Sequence, residues 1–201
     1  MPELESIPFH VVPHGVSLPT AIEFSPPADG PLRLIMLGRL TAEKGSEMLE
    51  AILPELEGFA ELTLLGCGDE AAARLKGRRA VTAVATYERS TLAAQIAAAR
   101  PHLGLQLSVV PETFSYTLSE LWHCAVPVLG TRIGSVGERI RHGENGYLVQ
   151  PDAASVLTAL AHAAGRRDEL AAMRERLRVD RPADIETMVA AYRNLLPGVP
   201  A

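Results

Sequence analysis

The stretch LRLIMLGRLTAEKGSEMLEAILPEL, from Leu32 to Leu56, decides the fold of this 201-residue chain. It begins with LRLIML, an apolar run of strand length that ends at Gly38 and a polar turn. From Ser46 to Leu56, apolar residues recur at intervals of three and four, as on one face of a helix. A buried strand, a polar loop and an amphipathic helix form the unit from which α/β sheets are built.

The same alternation of short apolar runs and helical patterns continues along the chain. Further strands are predicted at 62–65, 81–84, 103–107, 126–130 and 147–149, and helices near 90–99, 116–124, in the alanine-rich region after 152, and at about 183–196. Strands buried on both faces and separated by helices predict a doubly wound, mostly parallel, Rossmann-like sheet with helices on both faces. We assign residues 31–180 to this domain, residues 1–30 to a proline-rich segment and linker, and residues 181–201 to a final helix and tail.

Composition excludes several function classes. The formal net charge of -5 offers no surplus of basic residues for a nucleic-acid partner. Cys67 and Cys124 lie far apart and follow apolar runs, which favours buried free thiols over a disulfide. The six histidines show no HExxH spacing and the chain has no CxxC pair, so no metal site is expected. Without an apolar run of about 18 residues no membrane span is expected, and the polar, acidic start is unlike a signal peptide.

Ligands of doubly wound sheets bind beyond the carboxyl ends of the strands, so the loops after strands are the candidate sites. The first such loop, GRLTAEKG from Gly38 to Gly45, carries Arg39 and Lys44 beside glycines that let a ligand approach the backbone. A guanidinium and an ammonium group together suit a diphosphate, whose developing charge they could neutralise. The alternative interpretation is a solvated polar turn before a helix.

A second loop, LGCGDEA from Leu65 to Ala71, fits the GxGxxA pattern of dinucleotide-binding proteins and of methyltransferases that use S-adenosylmethionine. Both classes need an acidic residue at the end of the next strand to hold the ribose. Glu88 lies at about the right distance but several residues beyond that strand. Small residues in this pattern are also what any tight strand-to-helix turn requires, and we favour that interpretation.

A third loop, PETFSYTLSE, carries two glutamates around a predicted helix start. Glu112 is expected in the loop and Glu120 about a turn or more inside the helix. The amides from Phe114 to Thr117 then lie at the helix N-terminus, where unpaired N–H groups and the helix dipole bind anions. The two carboxylates could accept hydrogen bonds from a sugar and a ribose. The alternative is a capping glutamate and an exposed one.

Six segments in order resemble the carboxyl-terminal domain of retaining glycosyltransferases with the GT-B fold, the family "glycosyl transferases group 1". The segments are VVPHGVS, GRLTAEKG, LTLLGCGDE, PETFSYTLSE, CAVPVLGTRIGSVGE and HGENGYLVQPD, and they span Val11 to Asp152. Each is a weak signal alone, whereas their common order and spacing are specific. The chain therefore resembles one half of a GT-B enzyme, the half that binds a nucleotide-sugar donor.

The resemblance implies a role for each matched residue. Arg39 and Lys44 would hold the donor diphosphate, Glu112 would contact the donor sugar at the reacting centre, and Glu120 would contact the ribose. The remaining implied donor-site residues are Gly15 near the interdomain cleft, Gly38 beside the diphosphate, Tyr87 at the nucleobase, and the helix start formed by Phe114, Ser115, Tyr116 and Thr117. No metal or cofactor is implied, and the donor would be a UDP-, GDP-, ADP- or dTDP-sugar.

Three positions depart from the family pattern: Ser115 and Ser135 replace glycines, and Gly137 replaces a common proline. None removes a charged donor-site residue, so we interpret them as variation within the family. The form of these motifs is most similar to glycosyltransferase domains of bacterial surface-polysaccharide proteins. That similarity implies a cytoplasmic location, or one at the inner face of the membrane within a larger protein.

GT-B enzymes bind the acceptor in an amino-terminal domain, and only one sheet is predicted in this chain. We therefore expect the chain alone to bind its donor weakly and to transfer little, with a glycan or lipid-linked acceptor supplied through the missing domain. Three alternatives stay open: a methyltransferase or NAD-dependent enzyme using the Gly66–Gly68 loop, a non-catalytic regulatory GT-B half, and a GT-B epimerase acting on a nucleotide sugar.

Overall fold

The computed structural model describes residues 9–18 and 22–195. Within these ranges the strands are β1 (Leu32–Leu37), β2 (Ala60–Leu65), β3 (Val81–Val84), β4 (Leu103–Gln106), β5 (Val128–Thr131) and β6 (Gly146–Val149). The helices are α1 (Ser46–Leu56), α2 (Asp69–Leu75), α3 (Leu92–Ala99), α4 (Tyr116–His123), α5 (Gly134–Arg139), α6 (Ala153–Gly165), α7 (Arg167–Val179) and α8 (Ile185–Leu195).

All six strands of the described residues are parallel and form one sheet in the order β3-β2-β1-β4-β5-β6. β1 pairs with both β2 and β4, so Leu34 lies between Leu62 and Leu103. The chain builds one side of the sheet first, and then crosses β1 to build the other. The carboxyl ends of β1 and β4 therefore flank the point at which the winding reverses, where sheets of this kind bind ligands.

Alternate residues of each strand face opposite sides of the sheet and enter two separate cores. Leu34 and Met36 of β1 pack with α1 and α6 on one side, whereas Ile35 and Leu37 pack with α3 and α4 on the other. Burial on both faces explains why the strands read as continuous apolar runs rather than as alternating ones. The predicted doubly wound, parallel α/β fold is confirmed.

Several element bounds differ from the prediction. The helix expected from about residue 90 begins at Leu92, after a 3₁₀ turn at Arg89–Thr91. The strand expected at 126–130 is β5 at Val128–Thr131, since Pro127 has no N–H for the ladder. Helices α2 and α5 were not predicted, because each is short and buries only two side chains. Cys67 and Cys124 are buried free thiols, as predicted.

The chain divides into two compact units, residues 18–181 with the sheet, and a smaller unit formed by the two ends of the chain. In the smaller unit, Val16 N–H donates to the carbonyl of Ala183 at 2.9 Å, and Gly15 lies against the backbone at Asp184. The predicted last helix is present as α8, and residue 196 lies outside the described residues. Within the described ranges, no helix combines the length and apolar character needed to cross a bilayer.

A buried histidine at the amino end of β4 makes stability depend on pH. His102 is only 5% exposed; its Nδ1 accepts from the Arg33 N–H at 2.9 Å, so Nε2 carries the proton and donates to the Pro27 carbonyl at 2.8 Å. Burial, together with the neighbouring Arg167 and in opposition to the Pro27 bond, lowers the pKa of His102 to about 4. The imidazole is therefore neutral in the folded protein at pH 7.

We expect the free energy of unfolding to fall as the pH falls from 6.5 towards 4, because the unfolded chain takes up the His102 proton first. The loss assigned to His102 should be about 2–3 kcal/mol, at about 1.4 kcal/mol per unit of pKa shift. Urea unfolding at pH 7 and pH 4.5 measures it, with His102→Gln as the comparison. An equal pH-dependent loss in both proteins would contradict this origin.

Candidate donor site

The loops after β1 and β4 meet at the reversal point of the sheet. Lys44 follows β1 and Glu112 follows β4, and Lys44 Nζ lies 2.6 Å from Glu112 Oε1. The backbone supports this pairing, since the Val109 N–H donates to the Glu43 carbonyl at 2.9 Å. Two residues 68 positions apart in sequence thus form one ion pair at the expected ligand-binding edge.

Glu112 is held by a second side chain that sequence reasoning missed. The buried Ser108 hydroxyl donates to Oε1 of Glu112, the same oxygen that binds Lys44. The Ser108 carbonyl in turn accepts from the hydroxyl of Thr131 at 2.6 Å. Because both bonds go to Oε1, the oxygen Oε2 can still accept from a ligand hydroxyl. A serine four residues before a loop glutamate is too common a pattern to have been singled out.

The start of α4 lies beside the ends of β1 and β4, as the position of Thr117 shows. Gly38 faces the methyl group of Thr117, and the Gln106 side-chain amide donates to the Thr117 hydroxyl at 2.7 Å. Ser115 is the N-cap, and its hydroxyl accepts from the Leu118 N–H at 3.4 Å. The helix start predicted to bind phosphate is therefore next to the Lys44–Glu112 pair.

Glu120 lies on α4 and is only 3% exposed. The alternative interpretation of an exposed helix glutamate is therefore wrong. Burial raises the pKa of Glu120, and the charge of Arg89 opposes the shift. Arg89 Nη2 lies 3.2 Å from the Glu120 carboxylate, although Arg89 itself is exposed. Sequence reasoning missed Arg89, whose only signal was a cation in the loop after β3.

The glycines of the LGCGDEA loop make room for two predicted donor-site side chains. A β-carbon on Gly66 would lie 2.6 Å from the Tyr87 ring, and one on Gly68 would lie 3.6 Å from Arg39 Nε. Dinucleotide-binding loops use glycine so that the backbone can approach a pyrophosphate. Here side chains of this protein cover both glycines, and Glu88 is exposed beyond the strand. The geometry favours the interpretation as a tight turn.

Arg39 and Lys44 lie on opposite sides of β1. Arg39 is exposed and lies against the loop after β2, where it lines a cavity of about 410 Å³ with Arg74. Among the described residues Arg39 forms no ion pair, in contrast to Lys44, which Glu112 partly neutralises. Within the same part of the chain, no group of three or more metal-ligating side chains is found.

Comparison with known proteins supports the same class. A sequence model of the family "Glycosyl transferases group 1" matches residues 31–166. A 39-residue segment, 19% of this chain and 10% of the relative, is 46% identical to N-acetyl-alpha-D-glucosaminyl L-malate synthase of Bacillus anthracis.

Solved glycosyltransferase structures share the fold. Anabaena HepE, crystallised with UDP and glucose, superposes with a TM-score of 0.69 at 18% identity, over 83% of this chain and 48% of that protein. Sucrose-phosphate synthase from Thermosynechococcus elongatus gives a TM-score of 0.69 at 22% identity, over 88% and 50% respectively. The chain spans about half the length of these proteins, and their likeness shows the fold alone. Because the family model covers more than half of the sequence, the chain belongs to the glycosyl transferases group 1 family.

Proposed function

We propose that this chain is the donor-binding half of a retaining glycosyltransferase and binds a nucleoside diphosphate sugar. The observation that carries the proposal is the Lys44–Glu112 pair, at 2.6 Å, beside the start of α4 at the reversal point of the sheet. A cation and a helix N-terminus suit the phosphates of such a donor, and the nearby carboxylate suits its sugar hydroxyls.

Arg39 and Lys44 bind the diphosphate from opposite sides of β1, assisted by the amides from Phe114 to Thr117. As the bond between the sugar carbon and the diphosphate oxygen breaks, negative charge accumulates on the leaving group. The two cations stabilise that charge in place of a metal ion. Gly38, at the end of β1, leaves room for the phosphates between them.

Glu112 accepts hydrogen bonds from the donor sugar through Oε2 while Ser108 and Lys44 fix Oε1. Glu120 accepts hydrogen bonds from the ribose. The ribose then takes the place of Arg89, whose contact with the Glu120 carboxylate is released. We assign Tyr87 to the nucleobase; its ring lies over Gly66, in the loop after β2. These roles follow the order of groups in a nucleoside diphosphate sugar from β4 to β3.

Transfer requires a second domain that holds a glycan or lipid-linked acceptor over Glu112. The acceptor hydroxyl attacks the sugar carbon from the face that the diphosphate leaves, and its proton passes to the departing diphosphate, so the configuration is retained. The same resemblance suggests a place in bacterial surface-polysaccharide synthesis on the cytoplasmic side of the membrane.

Titration calorimetry of the wild-type chain tests the proposal. The ligands are UDP, GDP, ADP and dTDP, their matching nucleosides, NAD and S-adenosylmethionine. We expect one nucleoside diphosphate to bind, and its nucleoside to bind at least about tenfold more weakly, since charge-assisted bonds to the phosphates are lost. Binding of none of the diphosphates, or of NAD or S-adenosylmethionine alone, would overturn it; the second result would favour the dehydrogenase or methyltransferase alternative.

Glu112→Gln should raise the affinity for the nucleoside diphosphate and lower the affinity for the nucleotide sugar. Removing the carboxylate charge releases Lys44 and lowers repulsion of the phosphates, so the bound diphosphate should bind about threefold to tenfold more tightly. The corresponding nucleotide sugar loses a charge-assisted bond to its hydroxyl. We therefore expect the affinity ratio of nucleotide sugar to diphosphate to fall about tenfold, measured by calorimetry.

The matched control is Glu144→Gln, which removes a glutamate that pairs with Arg141 at 2.7 Å on the exposed surface. It should leave the ratio unchanged. If Glu112→Gln altered both affinities by the same factor, Glu112 would not contact the sugar.

A further inference from the structure

Helix α5 contacts the loop that carries Glu112 through its first residues. A β-carbon on Gly134 would lie 2.8 Å from the Glu112 nitrogen and 2.9 Å from the Glu112 carbonyl oxygen. The Ser135 N–H donates to that carbonyl at 2.9 Å. The backbone of Glu112 is therefore seated directly on the start of α5.

The last residue of α5, Arg139, contacts the other end of the same loop. Its Nη1 donates to the Ser115 carbonyl at 3.0 Å, and its Nη2 donates to the Ser119 hydroxyl at 2.6 Å. The guanidinium also lies 4.2 Å from the centre of the Phe114 ring and 5.3 Å from that of Trp122. One side chain thus joins the N-cap of α4, the aromatic residue before it and the next turn of the helix.

The Arg139 charge is not neutralised by a carboxylate among the described residues, since its partners are a carbonyl, a hydroxyl and two rings. Burial lowers the pKa of Arg139, and no nearby acid opposes this shift. Burying a cation without a counter-ion is costly. An anion bound nearby would lower the cost of burying the Arg139 guanidinium.

We propose that Arg139 is a positioning residue that fixes the start of α4 for the phosphates of the ligand. The carbonyl oxygen and the N–H of one peptide unit point in opposite directions, because the unit is planar and trans. Holding the Ser115 carbonyl on Arg139 therefore directs the first amide of α4 towards the opposite side. The planar fork of arginine makes both bonds at once, and a lysine lacks this geometry.

This inference rests on the proposed diphosphate site and is tested with the same ligands. We compare Arg139→Met, Arg139→Lys and Ser119→Ala with the control Arg176→Met. The control removes a bond of the same kind, from Arg176 on α7 to the Gly143 carbonyl at 2.9 Å, between two residues outside α4 and the Glu112 loop. Each variant is titrated with the nucleoside diphosphate that binds the wild type best and with the matching nucleoside, and its unfolding is followed in urea.

We expect Arg139→Met to lower the affinity for the diphosphate about tenfold and to leave that for the nucleoside within about twofold. Arg139→Lys should lose nearly as much, because it keeps the charge but not the fork. Ser119→Ala should lose less, since it removes the hydroxyl that accepts from Arg139 and donates weakly to the Ser115 carbonyl, but keeps the bond from Arg139 to that carbonyl.

Equal losses for diphosphate and nucleoside would assign Arg139 a purely structural role and overturn the inference. Wild-type affinity in Arg139→Lys would overturn it as well, because charge alone would then suffice. If Arg139→Met does not fold, the lysine and Ser119 variants still decide the question. Absence of any diphosphate binding by the wild type would instead overturn the proposed function itself, and the inference with it.

Discussion

Replacing Arg39 and Lys44 together by alanine is expected to lower the affinity for a nucleoside diphosphate more than about a hundredfold. Each side chain is expected to make a charge-assisted bond to phosphate worth about 1.5 kcal/mol or more. Together they contribute about 3 kcal/mol, and about 1.4 kcal/mol corresponds to a tenfold change in affinity. Calorimetry with the diphosphate that binds the wild type measures the loss.

The matched control is Lys76→Ala with Arg78→Ala. It removes the same two kinds of cation from exposed positions before the amino end of β3, at the opposite edge of the sheet. The control should bind the diphosphate as the wild type does. Unchanged binding by the Arg39 and Lys44 variant would show that the phosphates do not bind at the reversal point.

The single variants should differ, because the two cations have different partners. Lys44→Ala leaves Glu112 without its ion pair and exposes the phosphates to an uncompensated carboxylate. Arg39→Ala removes a cation that forms no ion pair with the described residues. We therefore expect the Lys44 variant to lose more affinity than the Arg39 variant.

Replacing Gly45 by alanine is expected to destabilise the fold by roughly 2–5 kcal/mol. Gly45 has φ +81°, a left-handed conformation that costs an alanine about 1–2 kcal/mol. A β-carbon there would also overlap the carbonyl oxygen of Leu107, whose backbone follows β4 and cannot move without disturbing the sheet. Overpacking of this kind adds about 1–3 kcal/mol.

Gly77→Ala separates the two causes. Gly77 has nearly the same φ, +79°, but a β-carbon there would meet nothing within 4 Å. We expect it to lose only the backbone contribution, about 1–2 kcal/mol. Urea unfolding of both variants measures the difference, and equal losses would show that the contact with Leu107 is relieved without cost.

The close contact at Gly45 gives this glycine of the GRLTAEKG loop a different role from the one that the sequence indicated. We interpreted its glycines as space for a ligand, and Gly38 still fits that role beside Thr117. Gly45 instead lets the loop after β1 pack on the backbone after β4. This packing places Lys44 next to Glu112, so the same glycine supports both the fold and the candidate site.

Local patterns predicted much of the fold. LRLIML predicted β1 with its observed bounds. Five apolar residues and one arginine, followed by a glycine, suit a strand buried on both faces. The bounds of β3, Val81 to Val84, were predicted from a similar short run. The start of α4 at Tyr116 was also predicted. Helix α5 escaped prediction, because GSVGER has no helical repeat and is ordered by its contacts with the loop before α4.

The sequence by itself determined the class of fold and the residue types of the candidate site: two cations, two glutamates and a helix start. Only the tertiary structure decided which of them meet, because the order of strands in the sheet depends on packing between distant segments. That order places Lys44 on Glu112, Arg89 on Glu120 and Tyr87 on Gly66. It also brings Arg139 to Ser115, a contact between residues that no local pattern connects.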